Sequence, residues 1–333
     1  MELLYKKIIF DELEKLEITL SESINSDIEL ATEVSGHIVN SGGKRIRPAI
    51  CILVAKTLGY SESDVIQLAS SIELLHTATL IHDDVVDESL VRRGKESIQA
   101  KWDDAHGVVV GDFVYSKAFQ LMASFDNPKI IRELANATNK ISEGEVLQLS
   151  LKRQSNLSEE DYFNIIDRKT AELFKVSAMT AGILCECAKP ELNSLNNFAT
   201  SLGLAFQIQD DILDYYGQEN LTGKKVGKDY EEGKFTLPII LSLKTMNQIN
   251  KTKLLSLFKT RKIEDFAEIL SLMETEKTLE QLQTIFTHYS NECMNELEKL
   301  PHNQYRDALE DIVINLGSRL SLIHISEPTR LSR

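Results

Sequence analysis

Two segments of the chain repeat one acidic pattern, His82-Asp83-Asp84-Val85-Val86-Asp87 and Gln209-Asp210-Asp211-Ile212-Leu213-Asp214. Each closes an apolar run, where charge is normally avoided. On a helix Asp83 and Asp87 share a face, and Asp210 and Asp214 repeat the arrangement. Like charges four residues apart destabilise a helix unless something positive lies between them. Carboxylate oxygens are hard ligands, and Mg²⁺ is usually held by one or two carboxylates with phosphate oxygens and water. One such motif reads equally well as a solvated acidic helix end. Two of them favour a metal and polyphosphate site, with the two helices expected to face each other across it.

Cations gather where such a ligand needs them. Gly42-Gly43-Lys44-Arg45-Ile46-Arg47-Pro48 puts three of them on a turn that starts with glycine and ends with proline. Gly43 permits close backbone approach, and an arginine fork can hold phosphate oxygens bidentately. Arg92-Arg93-Gly94-Lys95 follows the first acidic motif, and Lys169-Thr170 and Lys224 lie in the second half. Each alone reads as a surface charge. The whole chain, however, carries a net charge of −14. A fold this acidic is a poor non-specific binder of nucleic acid or anionic membrane, so cations beside both acidic motifs imply local anion sites.

His76 lies seven residues before Asp83, on the same helix face. A histidine in an apolar run is ordinarily a satisfied core residue, but beside Lys44 and Arg47 it could donate to a diphosphate. Glu73-Leu74-Leu75-His76 also fits the E-x-x-H of a di-iron bundle. That alternative needs a second copy, and none of the other six histidines has glutamate three residues before it.

The elements that must position these groups read as helices. In 333 residues there are only 15 glycines and 6 prolines, too few turns for a sheet-rich fold. Residues 3–20 are amphipathic, and Pro48 can open a helix at its first turn. Ser61, with Asp64 three residues on, fits a capping box for a helix over about 62–88 that is apolar on nearly every side. Further helices are expected near 107–124, 128–150, 158–187, 191–216, 235–246, 261–273, 275–299 and 303–318. No alternating strand pattern persists. The expectation is one all-α domain over residues 1–320. Residues 321–333 break the pattern, resemble a translated sequencing adapter, and are expected to be non-native or disordered. Cys51, Cys185, Cys187 and Cys293 have no zinc spacing and read as reduced thiols of a cytoplasmic protein. The N-terminal residues lack a signal-peptide apolar region, and no apolar run is long enough to span a bilayer.

Seven motifs together resemble the trans-polyprenyl diphosphate synthases. They are Gly42 to Pro48, Leu80 to Asp87, Arg92-Arg93-Gly94, Gly144-Glu145-Val146-Leu147-Gln148, Lys169-Thr170-Ala171, Phe206 to Asp214, and Gly233-Lys234-Phe235-Thr236-Leu237-Pro238. Val110-Gly111-Asp112-Phe113 and Tyr305-Arg306-Asp307-Ala308-Leu309 lean towards the octaprenyl-forming branch. The resemblance covers nearly all of residues 1–320. It implies a helical bundle around a central apolar cavity, usually homodimeric, and two or three Mg²⁺ ions bridging a diphosphate. Lys44, Arg47, His76 and Arg93 would hold isopentenyl diphosphate. Asp83 and Asp87 would hold metal, with Asp210, a further metal ligand, and Asp214 on the opposite wall, all four counting as catalytic. Arg92, Lys169, Thr170, Gln207 and Lys224 would hold the allylic diphosphate, Lys169 also counting as catalytic. Lys228 stands where the family carries an acidic or small polar residue, so Asp229 stays outside the expected metal shell.

The growing chain is expected to pass Ala78 and Thr79, about one helical turn, ~5.4 Å, from Asp83. Both are small, so the tail can pass; together with the family resemblance this implies a long product, an eight-unit chain for a quinone side chain, with seven or nine units as alternatives. The lipid product would pass to a membrane enzyme. Three other classes are weighed. A terpene cyclase needs no isopentenyl diphosphate site, against the Lys44, Arg47 and His76 group. A non-catalytic partner subunit would lose one acidic motif. A purely structural helical protein leaves six aspartates unexplained.

Overall fold

The computed structural model describes residues 3–151, 157–217 and 226–321. Helices α1 (Leu4–Ile8), α2 (Phe10–Ser23), α3 (Glu29–Val39), α4 (Ile46–Thr57) and α5 (Asp64–Val86) come first. A small hairpin, β1 (Val91–Arg92) with β2 (Lys95–Glu96), then leads to α6 (Ile98–Lys101), α7 (Asp104–Ala123) and α8 (Pro128–Leu151). Next come α9 (Glu159–Ile166), a π-helical turn Asp167–Ala171, α10 (Glu172–Leu184) and α11 (Lys189–Tyr216). The described chain ends with α12 (Lys228–Glu232), α13 (Leu237–Thr245), α14 (Gln248–Thr260), α15 (Phe266–Thr275), α16 (Thr278–Leu297) and α17 (Gln304–Ser321). The fold is all-α, as its periodicity predicts. No described helix is long and apolar enough to cross a membrane.

The chain forms two compact units. The first comprises residues 1–138, 173–196 and 297–311. Its axis is α5, which is apolar on nearly every side and buries Leu68, Ala69, Ile72, Leu74, Leu75 and Ala78 completely. Helix α7 lies hard against it. Gly107 and Gly111 leave no room for a Cβ, the first against Val85 and the second against the His82 ring. These two glycines set how closely the end of α5 that carries the acidic motif is gripped.

The second unit comprises residues 139–172, 197–296 and 312–333. Tyr215 directly follows the second acidic motif and belongs to a buried cluster with Tyr230, Phe258, Phe266, Ile269 and Met273. The Tyr215 and Phe266 rings are 5.8 Å apart, and those of Tyr230 and Phe258 5.1 Å. This apolar anchor fixes the end of α11 on which Asp210 and Asp214 stand.

Several local expectations need correction. The first helix breaks at Ile9, where φ is −118°. Ser63, not Ser61, stands before α5, and Asp64 accepts the Tyr60 hydroxyl at 2.8 Å instead of closing a capping box. The stretch expected to run over 158–187 as one helix is interrupted by the π-helical turn. Helices α3, α6, α12 and α14 and the hairpin lie outside the expected helical ranges. Ser321 closes α17, and the rest of the expected tail lies outside the described residues.

Candidate active site

In the first unit the glycine-rich turn bends through left-handed backbone. Gly42 has φ 76°, Gly43 151° and Arg45, the residue before α4, 50°. The Tyr5 hydroxyl, fully buried, donates to the Lys44 carbonyl and fixes the turn from behind. Lys44 itself is exposed. Arg47 lies over the Phe174 ring at 4.6 Å and donates to His76 Nε2 at 3.2 Å. A guanidinium can only donate, so His76 accepts here and is neutral. Burial, and then Arg47 and Arg93, hold the His76 pKa well below its usual 6.5. Burial also lowers Arg47 to about 10, with Arg93 adding to the drop and Glu73 opposing it. The cluster is a pocket of crowded positive charge, the arrangement that a polyanion relieves.

Arg92 and Arg93 ride the hairpin. Arg93 and Gly94 take positive φ, 53° and 77°, as a two-residue hairpin turn requires. Arg93 Nη1 donates to the Gly42 carbonyl at 2.6 Å, so its guanidinium lies against the glycine turn. Arg92 donates to both oxygens of Asp84, with Nε at 2.9 and 3.1 Å. Burial opposes the charge on Arg92, but Asp84, then Asp83 and Asp87, raise its pKa overall.

Along α5 and its C-cap, His76, Thr79, Leu80, Asp83 and Asp87 are half-exposed and spaced as one helix face; Asp64, His82 and Val85 are also half-exposed, the last two lying against α7. Asp84 lies off that face and is buried. Asp83 and Asp87 thus remain open at the C-terminal end of a helix, where the helix dipole disfavours carboxylates. Of the two chain-length candidates, Thr79 lies on the stripe. Ala78 lies off it, completely enclosed.

The second unit repeats this division of labour. Asp210 is exposed and Asp214 half-exposed, while Asp211 is buried. Asp211 accepts the Tyr162 hydroxyl at 2.6 Å and the Gln207 amide at 2.8 Å, and Gln207 in turn accepts Thr170 Oγ1 at 2.8 Å. Lys169 pairs with Glu145 and donates to Gln148 at 2.9 Å. Both Lys169 and Thr170 sit on the π-helical turn, a form enriched at functional sites. Two glycines hold that turn in place. A Cβ on Gly144 would meet Arg168 Cβ at 2.8 Å, and one on Gly203 would run into the Ala171 backbone.

Asp214 accepts the amides of Lys228 and Asp229 at 3.2 and 3.0 Å. Burial raises the Asp214 pKa against those two bonds, and burial pushes Asp211 up to about 7. Asp229 is raised as well, by burial and then by Asp211 and Asp214, with Lys234 opposing. Excess negative charge is therefore packed here, and Asp229 belongs to it despite the Lys228 departure.

Sequence reasoning missed the structural work of Asp84, Asp211 and Tyr162 and the approach of Lys234 to Asp229. The doubled aspartate was a signal for the first two, since only one of each pair can share the face of the later aspartate. Lys224 lies outside the described residues. Among those described, no three His, Cys, Asp or Glu side chains converge as a ready metal cage. The donor set nevertheless fits Mg²⁺, which takes one or two carboxylates and completes its shell from phosphate and water.

Comparison with known proteins agrees with this chemistry. The family model described as polyprenyl synthetase matches residues 28–274. An octaprenyl diphosphate synthase of Haemophilus influenzae is 37% identical over 305 residues, 91% of this chain and 93% of its own. That of Escherichia coli is 46% identical over 219 residues, 66% of this chain and 68% of its own. A polyprenyl synthase from Caulobacter crescentus, crystallised with calcium and isoprenyl diphosphate, superposes with a TM-score of 0.89 at 32% identity, covering 95% of this chain and 97% of its own. Matched in sequence and in fold, the chain belongs to the polyprenyl synthetase family of prenyltransferases, which elongate trans-isoprenoid chains.

Proposed function

We propose that this protein is a long-chain synthase that condenses isopentenyl diphosphate onto an allylic primer, farnesyl diphosphate, to give octaprenyl diphosphate for a quinone side chain. One observation carries the reading. A single face of α5 bears His76, in contact with Arg47 in a cationic cluster, and Asp83 and Asp87 further along. One helix therefore serves two kinds of diphosphate site, one cationic and one that needs metal.

In this reading Lys44, Arg47 and Arg93 bind the diphosphate of isopentenyl diphosphate, and neutral His76 holds the Arg47 fork. Asp83, Asp87 and Asp210 hold Mg²⁺, with Asp214 supporting. Bound Mg²⁺ supplies charge stabilisation to the departing diphosphate of the primer. Arg92, Lys169 and Lys224 add fixed positive charge to the same leaving group, and Thr170 and Gln207 orient it. The double bond of isopentenyl diphosphate attacks the allylic cation, and a proton then leaves the adjacent carbon for the released diphosphate. The allylic cation must be kept from water, which an apolar helical cage would do. The enzyme works as a cytoplasmic homodimer and hands its lipid to a membrane enzyme. Val108, Val109 and Phe119, exposed apolar residues of α7, support the dimer.

The test is incubation with farnesyl diphosphate, labelled isopentenyl diphosphate and Mg²⁺, then chromatography of dephosphorylated products. Eight-unit alcohol is expected. Seven or nine units would revise the length only, while a cyclic hydrocarbon or no product would refute the elongation reading.

A further inference from the structure

Glu73 takes no part in the chemistry above, yet it is a carboxylate only 2% exposed beside three arginines, Arg45, Arg47 and Arg93. It stands one turn before His76 on α5. Its Oε1 accepts Arg45 Nη1 at 2.6 Å and lies 3.4 Å from Arg93 Nη2. Arg45 is itself buried, and its remaining donors go to Glu17 at 2.7 and 2.9 Å and to the Val39 carbonyl at 2.9 Å. Burial opposes the charge on Arg45, but Glu17 and Glu73 together raise its pKa. Each of the three guanidinium nitrogens of Arg45 is thus bonded to a protein group. Arg45 and Glu73 form a strut inside the protein although Arg45 sits in the middle of the cationic motif.

The strut connects two chain segments far apart in sequence. Arg45 belongs to the turn that delivers Lys44 and Arg47. Arg93 belongs to the hairpin turn, and its other contact is the Gly42 carbonyl of the first turn. Glu73 is the one carboxylate that receives hydrogen bonds from both segments among the described contacts. We propose that Glu73 is a positioning residue: it ties the Lys44–Arg47 turn to the Arg93 hairpin and so sets the spacing of the cations that grip isopentenyl diphosphate. This rests on the reading of Arg93 as a ligand of that diphosphate.

The sign of the effect separates positioning from charge. Removing a buried negative charge from a cationic cluster should, by Coulomb's law alone, tighten anion binding. Loss of positioning should weaken it. The test compares steady-state kinetics of Glu73→Gln, Glu73→Asp, Arg93→Ala and the Glu73→Gln/Arg93→Ala double variant. Glu73→Gln is expected to raise KM for isopentenyl diphosphate about ten-fold, the scale of one charge-assisted hydrogen bond. It should leave kcat and KM for the allylic primer within about two-fold. In the Arg93→Ala background it should add less than about two-fold, because the residue it positions is gone. A merely structural role would instead move both substrates and persist in that background. If Glu73→Gln does not fold, Glu73→Asp keeps the charge and withdraws it from Arg93. Its KM should then lie between those of wild type and Arg93→Ala. An unchanged or lower KM in the folded variant, with Arg93→Ala still impaired, would overturn the role of Glu73 alone. An Arg93→Ala enzyme with normal KM for isopentenyl diphosphate would remove the ligand reading and the proposal with it.

Discussion

Within each doubled aspartate the two side chains do different work. Asp84 and Asp211 are buried and hold Arg92 and Gln207, whereas Asp83 and Asp210 stay accessible. Asp83→Asn and Asp210→Asn should each lower kcat by about a thousand-fold or more, near 4 kcal/mol of transition-state stabilisation. Circular dichroism should show an unchanged fold and a Tm equal to or above wild type, since like-charge repulsion is relieved. A near-normal rate for either in Mg²⁺ would remove that motif from the metal site. His76 gives a prediction on stability. Unfolded, it takes up a proton near pH 6.5; folded, it does so only well below that. The unfolded chain therefore binds more protons in that window, and the His76 contribution is lost as pH falls below about 6.5. The buried carboxylates Asp211 and Asp229, raised in the fold, act in the opposite sense. The informative quantity is thus the difference from His76→Gln. Urea midpoints at pH 7.5 and 5.5 should fall further for wild type than for the variant.

At the scale of elements, the two acidic ends are set by different devices. Helix α5 is held by the close approach of Gly107 and Gly111. The π-helical turn bearing Lys169 and Thr170 is held between Gly144 and Gly203. Gly203→Ala should push on the Ala171 backbone, costing about 1–3 kcal/mol in unfolding and raising KM for the allylic primer more than for isopentenyl diphosphate. A stable variant with unchanged kinetics would show that the turn needs no such clamp. The stripe on α5 separates the two chain-length candidates. Thr79→Phe should shorten the main product by several units in a folded enzyme. Ala78→Phe, at a completely enclosed position, should chiefly lower Tm through overpacking. Chromatography and melting curves on both variants check this. The sequence made α5 legible because its apolar pattern and its acidic end coincide. Composition carried the all-α class, and the motif spacing carried the residues proposed for the site. The π-helical turn was hidden because its residues, Asp167 to Ala171, suit an ordinary helix, and only the packing of Gly144 and Gly203 distinguishes it. The hairpin was hidden because two-residue strands are too short to alternate, and Arg93 takes a left-handed position that glycine usually signals. Asp229 was set aside because of its neighbour Lys228. The contact that brings it in runs through its backbone amide to Asp214, which side-chain identity does not reveal.

For the whole molecule the governing fact is the net charge of −14 set against substrates that are themselves polyanions. At long range the protein repels them, so binding must be local. The cationic cluster of Lys44, Arg47 and Arg93 can hold a diphosphate unaided. The aspartates of the two motifs cannot, because they share its sign. The central claim is therefore one metal-independent and one metal-dependent diphosphate site. Calorimetric titration of the metal-free protein, first with isopentenyl diphosphate and then with a non-ionisable thio-analogue of farnesyl diphosphate, each repeated in Mg²⁺, tests it most directly. The account predicts that isopentenyl diphosphate binds with or without Mg²⁺ and that the allylic analogue gains at least about a hundred-fold in affinity when Mg²⁺ is added, about 2.7 kcal/mol. Equal dependence of both ligands on Mg²⁺, or of neither, would contradict it.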